Sequence, residues 1–127
     1  MTASAPPVLS ESQPQYPSVV DIERTAECAK LKLVIPEALL FFSGHFPGFE
    51  LLPGVVQVHW AIQYATQEFS LGAVFPTIIR IKFRKPIRPN HSLTLVLKYV
   101  PSRKTLHFEY VDAGGPCSSG QIGFAPE

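Results

Sequence analysis

The chain has 127 residues, 46% of them hydrophobic and 17% charged, with a formal net charge of +1. That length fits one domain, which buries roughly 60% or more of its unfolded surface and folds without staples. A balance so near neutral excludes bulk nucleic-acid binding, which needs a large basic excess. The apolar share is high for a soluble chain and points to apolar surface buried against a second subunit.

Cys28 and Cys117 form no metal-ligand spacing and are too few for a disulfide framework, so they read as free thiols in a reducing compartment. The opening MTASAPPVLSESQPQ has neither the basic nor the apolar region of a signal peptide, and no run of about 18 apolar residues occurs. The expectation is a cytoplasmic protein without a membrane span.

In chain order, residues 1–18 hold Pro6, Pro7, Pro14 and Pro17 among Ser, Gln and Ala. Such a segment buries too little to offset its ordering entropy and is expected to be a flexible tail, with the domain running over residues 19–127. Val20 and Ile22 then alternate with Asp21 and Glu23, and Ala29, Leu31, Leu33 and Ile35 alternate with Lys30 and Lys32. Both read as half-buried strands. A Gly- and Pro-rich stretch, residues 43–54, leads into VVQVHWAIQYATQEF, residues 55–69. Apolar side chains fill nearly every face of that segment, which predicts a buried helix.

The second half is strand. Ile79, Ile81 and Phe83 alternate with Arg80, Lys82 and Arg84, until Pro86 and Pro89 break the ladder. Leu93, Leu95, Leu97 and Tyr99 mark the next strand, Leu106, Phe108 and Tyr110 another, and SSGQIGF at residues 118–124 a closing one. Two strands, one buried helix and three or four antiparallel strands make an α+β layout. It predicts a curved sheet around one central helix, with sheet edges left to pair with a second subunit.

The chemistry is concentrated in FFSGHFPGFELLPGVVQVHWA, residues 41–61. His45 sits between Gly44 and Phe46-Pro47-Gly48, in a loop that glycines and a proline hold in a special conformation. A histidine there is either a base poised near neutral pH or a side chain satisfying loop carbonyls. Nine residues on, Gly54 opens the helix. Its N–H is among the unsatisfied donors of a helix N-terminus, able to stabilise a developing anion or simply to start the helix after a Pro-Gly turn. His45 and His59 find no third ligand at a useful spacing, so no metal is expected. Arg80, Lys82, Arg84, Lys85 and Arg88 read as one alternating basic face, either solvated or a docking surface for an acidic partner.

GHFPG, then Pro53-Gly54 eight and nine residues after the histidine, then a polar residue 14 after it, resemble the beta-hydroxyacyl-ACP dehydratases of fatty-acid synthesis. RIKFRKPIRPNHSLTL, residues 80–95, and SSGQIGF extend the similarity over roughly residues 20–125. LPGVVQVHWA is most similar to the ApeI-type dehydratases associated with aryl-polyene synthesis. The resemblance implies a hot-dog fold in a dimer, with itself or with a related hot-dog subunit. It also implies an active site at the interface, fed by acyl groups on the phosphopantetheine arm of an acyl carrier protein, and no other cofactor. The implied reaction is dehydration of a carrier-bound 3-hydroxyacyl thioester to the trans-2-enoyl thioester.

By position, the resemblance makes His45 the base that removes the α-proton and Gly54 the donor to the thioester carbonyl. Phe46, Pro47, Gly48, Pro53, Trp60 and Phe83 are expected to touch substrate. His59 stands where the family has an acidic residue. A histidine there assists departure of the 3-hydroxyl when it donates N–H; otherwise it is a core histidine satisfied by Gln63. Two other readings stay open. One is thioester hydrolysis with Glu50 or Glu68 as the carboxylate, and the other a non-catalytic acyl-binding partner subunit.

Overall fold

The structure, a computed structural model, describes residues 15–37, 51–72 and 74–126. In chain order these form β1 (Ser18–Arg24), β2 (Cys28–Val34), α1 (Gly54–Phe69), β3 (Val74–Phe83), β4 (Ser92–Val100), β5 (Thr105–Asp112) and β6 (Gly115–Pro126). A 3₁₀ turn, Pro101–Arg103, joins β4 to β5. The strands pair antiparallel in one six-stranded sheet of order β1-β2-β4-β5-β6-β3. The chain therefore leaves β2 near one edge and returns in β3 at the opposite edge. α1 lies between them and crosses the face of the sheet.

Period-two alternation supplies that face. β2 buries Ala29, Leu31 and Leu33, β4 buries Leu93, Leu95 and Leu97, and β5 buries Leu106, Phe108 and Tyr110. α1 packs Val56, Val58, Trp60, Ala61 and Ala65 onto them. Each fully buried leucine contributes about 1.5–3 kcal/mol of transfer free energy. A sheet curled around one buried helix is the hot-dog arrangement that the sequence resemblance implies. Among the described residues, no helix is long and apolar enough to cross a membrane.

Several details differ from the sequence expectation. Residues 15–17 are not tail: Pro17 is buried, and Trp60 donates its indole N–H to the Gln15 carbonyl at 3.0 Å. A buried indole needs an acceptor, and the backbone just before β1 provides it. Residues 1–14 lie outside the described residues. α1 is also not buried all round, because Val55 and His59 are exposed on one stripe with the half-buried Ile62 and Thr66. β3 begins at Val74, earlier than its alternation suggests, since Phe75, Ile78 and Ile79 break the pattern and remain more than half exposed.

The two sheet edges differ in kind. β1 carries Asp21, Glu23 and Arg24 and is interrupted by a bulge between Val19 and Asp21, which are ordinary guards against unwanted pairing. β3 is ten residues long and shows Phe75, Ile78, Ile79 and Phe83 to solvent. An edge that long and that apolar is a surface built to be covered.

Candidate active site

α1 begins at an N-cap proline, Pro53, with φ −61° and ψ 145° and no side-chain cap. Proline has no side-chain acceptor, so the orphan donors of the first turn receive no help from it. Val56 and Gln57 N–H reach back to the Pro53 carbonyl at 3.1 and 3.2 Å. Among the described residues, Gly54 and Val55 N–H have no such backbone acceptor and lie at the open helix tip. Gly54 borders a cavity of about 350 Å³ with apolar walls from Leu51, Leu52, Phe83 and Pro86 and polar ones from Gln57, Arg84 and Lys85. The Phe83 ring lies against the tip so closely that a Cβ at Gly54 would meet its Cζ at 2.5 Å. Only glycine permits that approach. The structure thus brings Pro53, Gly54 and Phe83 together.

His59 sits on the exposed stripe of α1 with its ring 6.3 Å from that of Tyr16, tilted 34°. It is not a core histidine. Tyr16 also meets Tyr64 edge-on at 6.3 Å. Burial, with a smaller contribution from Tyr16, pushes the Tyr64 hydroxyl up to about 12, so it stays a neutral donor at physiological pH. Trp60, expected to touch substrate, is fully buried and hydrogen-bonded to Gln15. It is a core residue, because its large ring turns toward the sheet while His59 beside it turns away. His45, Phe46, Pro47, Gly48 and Glu50 lie outside the described residues.

The sequence reading passed over Gln57, the buried polar side chain of α1. Its amide donates to the Leu52 carbonyl at 3.1 Å, and its Oε1 accepts the Ser118 hydroxyl at 2.7 Å. Its backbone carbonyl accepts the Tyr110 hydroxyl at 2.7 Å. Burial holds the Tyr110 hydroxyl well above its usual range, which keeps it a donor. The available signal was a glutamine three residues after Gly54, set between Val56 and Val58.

Of the basic residues, Arg80, Lys82 and Arg84 line a groove of about 460 Å³ on the outer sheet face. Lys98 and His107 join them because Arg80 pairs with Gln121, Gln121 with His107, and His107 with Lys98 across the sheet. Glu109 is the acid among these lining residues. Arg84 borders both this groove and the Gly54 cavity. Lys85 and Arg88 do not line the groove. Lys85 lies past the end of β3 and pairs with Asp112 at 2.6 Å, and Arg88 lies further along the same bend.

Asp112 also accepts from the Gly114 N–H at 2.8 Å and lies 2.8 Å from His91 Nε2. His91, Asp112 and Cys117 offer donor atoms within 4.8 Å of one another. Here the Lys85 ammonium holds the place a cation would take. The Arg88 N–H facing His91 Nδ1 at 3.4 Å keeps the ring proton on Nε2, aimed at Asp112. Burial pushes the Cys117 thiol up, and Asp112 adds to the shift.

Hydrogen bonds from Lys85, then His91, hold the Asp112 carboxyl well below the usual carboxylate range. Its folded pKa is depressed, so the stabilisation is present above the unfolded value of about 4 and is lost as pH falls below it. Asp112→Asn is expected to lower the melting temperature at pH 7 and to flatten its decline between about pH 5 and 2. Equal slopes for the two proteins in that window would remove Asp112 from acid unfolding.

Glu68, one carboxylate considered for thioester hydrolysis, accepts from Arg24 Nε at 2.5 Å near the C-terminal end of α1, far along the helix from Gly54.

Comparison with known proteins agrees with this arrangement. The family model for ApeI-like proteins, described as ApeI dehydratase, matches residues 13–121. The structure titled the dehydratase heterocomplex ApeI:P from Xenorhabdus doucetiae contains a chain 31% identical to this one, covering 87% of this chain and 98% of that one, with a TM-score of 0.81. An uncharacterized protein from Erwinia carotovora subsp. atroseptica is 36% identical over 87% of this chain and 97% of that one, with a TM-score of 0.75. The 3-hydroxyacyl-[acyl-carrier-protein] dehydratase FabZ of Hydrogenobaculum sp. is 32% identical over 75 residues, 52% of this chain and 51% of that one. The chain spans about half the length of the first curated relatives it matches. The family match takes in β1 to β5, the first part of β6 and the helix tip at Gly54, and the chain belongs to the ApeI-like dehydratase family.

Proposed function

We propose that the protein removes water from a 3-hydroxyacyl thioester, held on the phosphopantetheine arm of an acyl carrier protein, to give the trans-2-enoyl thioester. The observation that carries this reading is the tip of α1, which Pro53 does not cap with a side chain and which borders a largely apolar cavity beside Phe83. The thioester carbonyl accepts from Gly54 N–H, and the acyl chain runs along the apolar wall. Neutral His45 takes the proton from C2, and charge moves to the carbonyl oxygen, where the helix tip stabilises it. Losing one such donor typically raises a barrier by about 2.7–4 kcal/mol. As the C2–C3 double bond forms, the C3–O bond breaks, and His59 donates the proton that lets the hydroxyl leave as water. Returning a proton from His45 to His59 restores both groups. His59 lies five residues beyond Gly54, about 7.5 Å along the helix axis, so a bound chain would have the carbonyl donor behind it and the acid ahead.

The carrier docks, in this reading, on the groove of Arg80, Lys82 and Arg84, with Arg84 bridging the basic surface to the cavity mouth. An acidic carrier would be steered there, and its phosphate would meet a guanidinium. The β3 edge takes a second hot-dog chain, a copy or a related subunit, burying Phe75, Ile78 and Ile79. The ApeI structure from Xenorhabdus doucetiae is itself a heterocomplex, which supports a related subunit as the partner. Incubating the purified protein with a carrier-bound 3-hydroxyacyl thioester tests the function by mass spectrometry. Loss of water with the thioester intact is expected. Release of free carrier thiol would point to hydrolysis, and an unchanged substrate to an acyl-binding subunit.

A further inference from the structure

We propose that Gln57 is a positioning residue for the thioester-binding helix tip, which rests on the dehydratase reading above. The segment Leu52-Pro53-Gly54 has to present the Gly54 N–H at a fixed point and angle. Pro53 cannot anchor it by a side chain. Leu52 instead is tied at both ends, its N–H donating to the Ile87 carbonyl at 2.8 Å and its carbonyl accepting the Gln57 amide at 3.1 Å. Gln57 is itself tied to the sheet, through Ser118 on β6 and Tyr110 on β5. Ser118 stands opposite Phe83 in the β3–β6 ladder, and Phe83 is the ring packed on Gly54. One buried amide therefore joins the turn before the helix, the strand behind the cavity and the residue that closes over it.

A buried glutamine is an expensive choice for core filling, because an apolar side chain of the same length needs no partners. Its geometry explains its presence. The amide offers a donor and an acceptor in one rigid plane, and each is used on a different element. Side-chain amide geometry thereby sets where the helix tip sits relative to the sheet. A displacement of about 1 Å in a reacting geometry can cost about a hundredfold in rate. Gln57 acts through Gly54 and need not touch substrate.

The test uses Gln57→Met, which keeps length and removes both hydrogen bonds, and the double variant Gln57→Met/Ser118→Ala, which also removes the orphaned hydroxyl. Thermal unfolding identifies which variant is folded. Two readouts follow: steady-state dehydration of a 3-hydroxyacyl thioester, and the infrared carbonyl stretch of a bound saturated acyl thioester that cannot react. Wild type is expected to lower the carbonyl frequency on binding. A folded variant is expected to return it toward the solution value, with kcat down about tenfold to a hundredfold and KM changed less than about threefold. A merely structural glutamine would change the melting temperature while the carbonyl shift and kcat stayed at wild-type values, and that result overturns the proposal. If wild type dehydrates nothing and shows no carbonyl shift, the dehydratase reading falls and takes this one with it.

Discussion

His45→Ala is expected to lower kcat/KM for dehydration by about 10²–10⁴-fold, the usual contribution of a positioned general base. That range corresponds to about 2.7–5.4 kcal/mol of barrier. The α-proton of a thioester is weakly acidic, so removing the base leaves the carbonyl polarised by Gly54 but the proton in place. Binding of an unreactive saturated acyl thioester should then change little, because Gly54, Phe83 and the apolar cavity wall are untouched. The melting temperature should stay within a few degrees of wild type. A folded variant retaining more than about a tenth of the rate would rule out His45 as the base.

The pH dependence of kcat/KM is expected to be bell-shaped, because the cycle uses one group as base and another as acid. The cycle needs one imidazole free and one protonated, so the two act as a pair holding one proton, and the limbs belong to the pair. His59→Ala should lose the limb of the acid along with most of the rate. His59→Glu should recover part of the rate and move the acid limb to lower pH, since a carboxylate then carries the proton. The exposed position of His59 on α1 beside Tyr16 makes the comparison clean, because neither change opens a core cavity. Full activity and an unchanged profile in His59→Ala would mean that His45 works alone.

Local pattern carried much of this architecture. Alternation in Ala29–Ile35, Leu93–Tyr99 and Leu106–Tyr110 located three central strands, because a sheet with one buried face writes itself as a period of two. The pairing of GHFPG with Pro53-Gly54 carried the family, and the helix beginning at Gly54 agrees with it. Where pattern misled, the cause was a partner distant in sequence. Trp60 read as a substrate contact until the carbonyl of Gln15, 45 residues away, proved to hold its indole. Lys85 read as part of a docking face, but Asp112, 27 residues on, neutralises it.

What the sequence by itself determined, then, is the class of the fold, the family and the residues at which the proposed chemistry is sought. Backbone periodicity and a compact motif encode these, and both are local properties of the chain. Tertiary structure alone decided which polar residues are held and which are free. Gln57 is matched to Ser118 across 61 residues, while His59, two positions further along the same helix, stays exposed. Nothing in a helical period separates those two, since an amide and an imidazole are equally polar on paper. The sheet order does, by bringing β5 and β6 under one face of α1 and leaving the other face open, where burial demands a hydrogen-bond partner and solvent does not.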